Sequence, residues 1–193
     1  MDSISRDKLL PRVVHRSYFD AAGVADLDRE PHRFGIVRPL GNDVYAFLAH
    51  VDDELIRNVH PEHLEKLKLT IDAAWETATS NLRTIAFDGK TIKQTITKAN
   101  DGRDWSVWLG NEFTASTTLL PELLEWSREN LNGESFLVRI ASTQSVFILQ
   151  KSHAAEIPDF DNYIAKVLEG SNNLVSDRWF MLSASGLEPF TSR

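Results

Sequence analysis

The two histidines of His60-Pro-Glu-His63 come closer to a catalytic or metal-binding motif than any other residues of this chain. Asp52 and Asp53 precede them by a few residues. Imidazoles with carboxylates are ligands that zinc uses, and such a set can serve a small-molecule or metal-dependent hydrolase. The spacing is not that of His-Glu-x-x-His, in which the two histidines stand four positions apart on one helix face.

A third protein ligand is what this candidate metal site lacks. His50 is the only further histidine near the pair in sequence. Capping of a helix, beside a solvated acidic turn, accounts for the same residues without any metal. His60, His63 and Asp52 therefore stay as the metal candidates, while we expect purified protein to contain no stoichiometric zinc.

Other short motifs give no support for an enzyme or a cofactor site. Ser183-Ala-Ser185-Gly186 resembles a nucleophile elbow only in part. It lacks the glycine that an elbow has two positions before its serine, and it lacks the helix that follows an elbow. Gly35, Gly41 and Gly110 do not form a phosphate-binding loop. We therefore expect no cofactor.

The balance of charge argues against nucleic acid as a partner. Lys8, Arg12, His15 and Arg16 would form a basic face if this segment were a short helix, but the formal net charge of the chain is −7. A field of that sign repels phosphate and anionic membrane surfaces. The partners that remain are a protein or a second copy of this chain.

The composition predicts a cytoplasmic protein. The chain has no cysteine, so it forms no disulfides and no thiolate metal site. Residues 1–10 are polar apart from one Leu pair and are not expected to be a signal peptide. Apolar runs are far shorter than the roughly 20 residues that span a bilayer, so no membrane association is expected.

The order of the elements predicts an α+β fold, with a mixed and largely antiparallel sheet and helices packed on one of its faces. A meander of three strands is expected over 34–59 and a pair of helices over 60–86. Thr70 is expected to cap the second helix, and Thr118 and Asn132-Gly133 to begin and end a later one. Further strands are predicted at 91–97, 105–109, 136–140, 146–149 and 178–182, and a further helix at 158–169.

Two domain arrangements are consistent with these elements. Residues 1–33 are charged and mixed, and we expect a loosely docked N-terminal arm with a short helix near Leu9 to Val14. Residues 34–193 would form the α+β domain, and the change from helices to strands near 88–90 would divide it into lobes 34–88 and 89–193.

The hairpin from Phe136 to Leu149 is expected to lie buried at the centre, because its composition is nearly continuously apolar. Trp105 and Trp108 are an odd number of positions apart and would point to opposite faces of their strand. We hypothesise that Trp108 lies in a contact between lobes or between chains, and that Trp108 and Trp126 mark an interaction surface.

Four short strings carry a resemblance to a known family. They are His60-Pro-Glu-His-Leu64 leading to Ala78 and Asn81-Leu82, Phe113-Thr-Ala-Ser116 before Leu119-Leu120, the run Phe136 to Phe147, and Leu174-Val-Ser with Glu188-Pro-Phe190. Over residues 36–190 their order resembles the YtpQ-like family, bacterial proteins classed as a domain of unknown function. The resemblance implies a bacterial, cytoplasmic α+β protein and carries over no activity and no catalytic residue. The turn Ser142–Ser145 departs from the pattern, which would have a Pro and an Arg-Asp pair there.

The sequence thus favours a non-enzymatic binding or protein-interaction domain, because it has many aromatic residues and neither a catalytic signature nor a cofactor motif. The alternative is a small-molecule or metal-dependent hydrolase that uses His60, His63 and Asp52 or Asp53. Converging carboxylates in a cleft would favour the hydrolase, and an exposed apolar patch near Trp108 or Trp126 would favour the binding domain.

Overall fold

A computed structural model describes residues 4–24, 27, 34–52, 55–98, 100, 102, 104–171 and 173–191. Within these residues the chain forms ten strands and five α-helices. The strands are β1 (Leu9–His15), β2 (Val37–Gly41), β3 (Val44–Val51), β4 (Ile56–Asn58), β5 (Lys93–Thr97), β6 (Trp105–Leu109), β7 (Phe136–Ser142), β8 (Ser145–Gln150), β9 (Trp179–Ser183) and β10 (Gly186–Pro189). The helices are α1 (Ser17–Ala21), α2 (Pro61–Leu67), α3 (Ile71–Ala86), α4 (Glu122–Asn130) and α5 (Ile157–Val167). In this described part of the chain, no helix is both long enough and apolar enough to cross a membrane.

The smaller sheet is built around β3. β1 pairs with β3 along one edge, while β2 and then β4 pair with successive parts of the other edge, all antiparallel. The meander predicted over 34–59 is therefore confirmed. Asn42 and Asp43 adopt positive φ in the tight turn between β2 and β3, as these two residue types tolerate.

The segment Leu9–His15 is a strand, so the short helix predicted there is wrong. It pairs residue by residue with Val44–His50, and it is an integral part of the sheet rather than a loosely docked arm. Pro11 is compatible with this position because β1 is an edge strand, which does not need every backbone N–H for pairing.

The larger sheet has six antiparallel strands in the order β10-β9-β7-β8-β6-β5. The hairpin β7–β8 lies in its middle, and all residues of its two strands are buried except the half-buried Arg139. The prediction of a central, buried hairpin is confirmed. β10 was not predicted, because its sequence Gly-Leu-Glu-Pro has only one strongly apolar residue.

The largest apolar cluster contains residues of both sheets and of α2, α3 and α4. It joins residues from both predicted lobes, 34–88 and 89–193, in one core. On its other face the larger sheet packs against α5 through residues such as Leu137, Phe147 and Ile164. The α+β fold is confirmed, with two sheets in place of one and apolar packing on both faces of the larger sheet.

Of the predicted helix caps, the one at the start of α3 is present in the structure and those at the two ends of α4 are not. Thr70 Oγ1 accepts a hydrogen bond of 3.2 Å from the Ala73 N–H, so the predicted cap is confirmed. Thr118 instead donates its hydroxyl to the Ala115 carbonyl within a 3-10 helix, Ala115–Leu119. α4 begins only after Pro121, and Leu131 ends it in an extended conformation, so the predictions for Thr118 and for Asn132-Gly133 are wrong.

Candidate ligand-binding groove

The histidine pair that suggested a metal site forms the N-terminal cap of α2. His63 Nδ1 accepts a hydrogen bond of 3.0 Å from the His60 N–H, and the His63 N–H donates to the His60 carbonyl at 2.9 Å. Burial lowers the pKa of His63, which keeps the ring neutral and able to accept this bond. The Nδ1 atom of His63 is therefore occupied by backbone capping rather than directed at a metal.

Asp52 has structural partners of its own. Its Oδ1 accepts a hydrogen bond of 3.0 Å from the Leu55 N–H, and its Oδ2 lies 3.3 Å from Arg57 Nη2. Asp53 lies outside the described residues. Among the residues that the structure describes, no three histidines or carboxylates come together as metal ligands would.

Trp108 is fully buried and offers no exposed surface for a partner. Its ring makes edge contacts with Phe87 at 5.8 Å and with the half-buried Trp126 at 5.0 Å, measured between ring centroids. Phe87 precedes the predicted lobe boundary and Trp126 follows it, so Trp108 packs between the two parts of the chain. Trp108 thus lies inside the chain, and Trp126 is half-buried against it.

A polar cavity of about 560 Å³ lies beside α3, around Trp75. Three of its charged side chains are paired: Arg38 pairs with Asp72 at 2.9 Å and stacks 4.5 Å above the Trp75 ring, and Arg83 pairs with Glu122 outside the cavity. Trp75 itself is buried and belongs to the largest apolar cluster. Ion pairs thus occupy most of the charged groups at this surface, while the buried Trp75 Nε1 has no hydrogen-bond partner among the described residues.

A second groove contains more polar groups without hydrogen-bond partners. It lies where the β1–α1 connection faces β7, α5 and the segment 173–177. It has two parts, which share His15, Ser17 and Leu174 in their walls. We call the larger part, of about 580 Å³, the apolar chamber, and the smaller part, of about 300 Å³, the polar chamber.

The apolar chamber is formed by the outer face of β7 and one side of α5. Ala141, Ile164, Leu168 and Val175 supply most of its apolar wall. Ile164 is fully buried because the apolar residues of α5 recur at helical spacing and turn this side toward the sheet. A mostly apolar body of small-molecule size fits a cavity of this kind.

Arg139 supplies the charge in the wall of the apolar chamber. Its Nε donates to the Ser176 carbonyl at 2.9 Å, and its Nη1 donates to Asp161 Oδ1 at 2.5 Å. Burial lowers the pKa of Arg139, while Asp161 and Asp177 act against that effect. The two carboxylates outweigh the single guanidinium, so this chamber has no surplus positive charge for an anion.

The polar chamber is lined by Arg12 of β1 and Tyr18 of α1, and by Thr143 and Asn173 from later parts of the chain. Arg12 donates from Nη2 to Glu112 at 2.5 Å and from Nη1 to the Tyr18 hydroxyl at 3.1 Å. Its guanidinium also lies 5.1 Å from the centre of the Tyr18 ring. These contacts fix the orientation of the Arg12 side chain.

Two polar atoms of the polar chamber are buried without a hydrogen-bond partner among the described residues. They are Arg12 Nε and Thr143 Oγ1. Thr143 is only 6% exposed, and its backbone is held by the Ala115 N–H at 2.9 Å and the Asn173 carbonyl at 3.0 Å. Unsatisfied buried polar atoms are rare in folded proteins, so two of them in the wall of one cavity make the polar chamber a candidate binding site.

His15 lies where the two chambers meet. Its Nδ1 accepts from the Ser17 N–H at 3.1 Å and is 2.9 Å from the Ser17 hydroxyl. Arg12 and His15 belong to the basic face that the sequence placed on a helix. The strand instead places both of them in the walls of the groove.

No motif in the sequence indicates the remaining groove residues. Arg139, Thr143 and Asn173 belong to segments with no recognisable motif, and they meet Arg12 only through the pairing of distant elements. A polar turn at 142–145 was visible, but nothing local indicated that it faces the N-terminal strand.

Comparison with known proteins identifies no relative. No family model matches the chain, and neither a curated protein nor a solved structure is significantly similar to it. The resemblance to the YtpQ-like family therefore stays a prediction.

Proposed function

We propose that this protein is a non-enzymatic binding protein and that the groove binds a small, mostly apolar molecule. The observation that supports the proposal is the apolar chamber of about 580 Å³ joined to a polar chamber of about 300 Å³. Ligand sites in proteins are typically concave, mostly apolar and about this size, with a few polar groups that fix the orientation of the ligand.

The exposed apolar residues around the groove also support this proposal. Val167 of α5 and Leu174 are 47% and 56% exposed, although each lies next to residues of the apolar chamber. Apolar side chains beside an apolar cavity lower the cost of moving an apolar ligand out of water. They also form a surface on which a protein partner or a second copy of the chain can dock.

The proposal places the protein in the cytoplasm. Its support is compositional, since a chain without cysteine has none of the disulfides that stabilise many secreted domains. Membership of the bacterial YtpQ-like family is proposed on the same footing, from the short strings that resemble that family.

Titration with N-phenylnaphthylamine, a neutral probe whose fluorescence rises in apolar surroundings, tests the binding function. We expect saturable binding with a Kd on the order of 100 µM, from about 0.3 kcal/mol per heavy atom for a ligand of this size. Ala165→Trp should abolish it, because Ala165 is exposed on α5 at the wall of the apolar chamber and the indole would fill the cavity.

The matched control is Ala155→Trp, which adds the same side chain at an exposed position that does not line the groove. If the wild type does not bind the probe, or if both tryptophan variants bind it as well as the wild type, the groove is not the binding site.

A hydrolase is the second candidate, now with Ser17 and His15 in place of His60, His63 and Asp52. The Ser17 hydroxyl lies 2.9 Å from His15 Nδ1, which is the first half of a nucleophile–base arrangement. No carboxylate bonds the other ring nitrogen of His15 among the described residues, and the Ser17 N–H bonds Nδ1 as well, which favours a local turn. Hydrolysis of p-nitrophenyl acetate distinguishes a hydrolase from a local turn. A rate above background that is lost in Ser17→Ala would establish the hydrolase.

A further inference from the structure

We propose that the polar chamber is an oxyanion site, which holds the singly charged carboxylate or sulfonate head of a ligand whose apolar body lies in the apolar chamber. This inference rests on the proposed binding function and names the class of ligand. The ligand is an amphiphile with one anionic oxygen-bearing head and an apolar body.

Arg12 provides the first of two donors for the head group. Its side chain is 12% exposed, its two terminal nitrogens are held by Glu112 and Tyr18, and its Nε has no partner among the described residues. Because the guanidinium is already held in place, an anion that reaches Nε finds a donor in a fixed direction. Preorganised donors of this kind bind carboxylates and phosphates without a further cost of ordering the side chain.

Thr143, which also lines the polar chamber, provides the second donor. Its hydroxyl is buried and has no partner in the described part of the chain, while its backbone N–H and carbonyl are both bonded. A buried hydroxyl without a partner destabilises the free protein. An oxygen that accepts from both Thr143 and Arg12 satisfies two buried donors at once, and a carboxylate or sulfonate offers more than one such oxygen.

The charge around the polar chamber selects a singly charged head. Glu112 already neutralises Arg12, and the Glu112 side chain is 42% exposed beside it. A dianion would gain the same hydrogen bonds but would meet the Glu112 carboxylate. We therefore expect carboxylate and sulfonate heads to bind, and inorganic phosphate, which is mostly doubly charged at about pH 8, to compete poorly.

The apolar chamber is the less favourable place for the head. Its one guanidinium, Arg139, already donates to Asp161 and lies near Asp177. An anion there would approach two carboxylates for one positive charge, so the body of the ligand belongs in this chamber. The two chambers are adjacent, since His15 and Leu174 belong to the walls of both, and the proposed ligand extends from one chamber into the other.

Two fluorescent probes that differ by one sulfonate test the inference: anilinonaphthalene sulfonate and the neutral N-phenylnaphthylamine. We expect the sulfonate to bind the wild type about tenfold more tightly, from hydrogen bonds to a charged group. Thr143→Val, which replaces the hydroxyl by a methyl group of the same shape, should abolish this preference. Arg12→Lys keeps the charge, removes the Nε donor and should also reduce the preference.

Thr97→Val is the matched control, because Thr97 is exposed on the edge strand β5 and does not line the groove. It should leave the affinity ratio of the two probes unchanged. A thermal melt of Thr143→Val separates binding from folding. Since the hydroxyl has no partner among the described residues, its removal should not lower the Tm.

The possible outcomes distinguish failure of the oxyanion site from failure of the binding function and of the selection for a singly charged head. Equal affinities of the wild type for the two probes, or a preference that survives in Thr143→Val, would overturn the oxyanion site and leave the binding function in place if Ala165→Trp still blocks the neutral probe. A Tm of Thr143→Val lowered by several degrees would assign the hydroxyl to folding and also overturn the site. If neither probe binds the wild type, the binding function itself fails. Displacement of the sulfonate by inorganic phosphate as readily as by octanoate would overturn the selection of a singly charged head.

Discussion

His50 is the buried group whose replacement should stabilise the protein. It is 2% exposed on β3, and both of its ring nitrogens lack a hydrogen-bond partner among the described residues. Leaving a buried polar group unsatisfied costs about 1–3 kcal/mol, and leucine fills a similar volume without polar atoms. We therefore expect His50→Leu to raise the free energy of unfolding by about 1–3 kcal/mol at about pH 8, where the imidazole is neutral.

The increase in the free energy of unfolding caused by His50→Leu should become larger as the pH falls. Burial lowers the pKa of His50; Asp52 and Asp7 oppose this effect, while Lys8 and Arg57 reinforce it. The unfolded chain therefore takes up a proton at higher pH than the folded protein does. The His50 contribution is constant above its ordinary pKa of about 6.5, and below that it destabilises the wild type by up to about 1.4 kcal/mol per pH unit until the folded pKa is reached.

Urea unfolding at about pH 8, 6.5 and 5.5 measures this difference for the wild type and His50→Leu. Other titrating groups, including His63, remain in both proteins and cancel in the comparison. His60→Leu serves as the control, because His60 is only half-buried and lies at the helix end rather than in the core. A variant that is less stable than the wild type at high pH, or a difference that does not change with pH, would refute the assignment of His50 as a buried, unpaired and neutral ring.

Three further predictions concern the core and the metal. Ile148→Ala should lower the free energy of unfolding by about 2–5 kcal/mol, because Ile148 is fully buried in the central strand, whereas Ile96→Ala on the edge strand should cost less than about half of that in the same urea melts. Elemental analysis should find no stoichiometric zinc, and one zinc per chain that is lost in His63→Ala would contradict the capping assignment. Trp108→Ser should destabilise by about 3–5 kcal/mol and leave the association state in sedimentation equilibrium unchanged, because Trp108 is fully buried within the chain.

Elements defined by local residues were predictable from the sequence. The meander over 34–59 has a turn of Gly41, Asn42 and Asp43 between apolar strands, and the hairpin β7–β8 has a polar turn between two apolar runs. Turn residues and alternation act over a few positions, so one sequence contains the whole signal. The same reasoning identified the Thr70 cap and the capping role of His60-Pro-Glu-His63.

The N-terminal strand and the groove were not predictable in this way. Leu9, Leu10, Val13 and Val14 have the spacing of one helix face, and only pairing with β3, more than 30 residues later, makes them a strand. The groove joins residues of β1, the β7–β8 turn and the segment after α5. Its chemistry depends on contacts between elements that are distant in sequence, and neither propensity nor spacing encodes those contacts.

The hydrogen bonds of the turn Ser142–Ser145 bear on whether the unpaired Thr143 hydroxyl only destabilises the fold or serves to bind a ligand. The Thr143 N–H donates to the Asn173 carbonyl and the Thr143 carbonyl accepts from the Ala115 N–H. The Gly110 N–H donates to the Gln144 carbonyl at 3.1 Å, so three backbone bonds to three different segments hold the turn. These bonds restrain the backbone of the turn on either side of the Thr143 hydroxyl. The cost of the unpaired group therefore persists in the free protein, and an acceptor that enters the polar chamber removes it without having to order the wall.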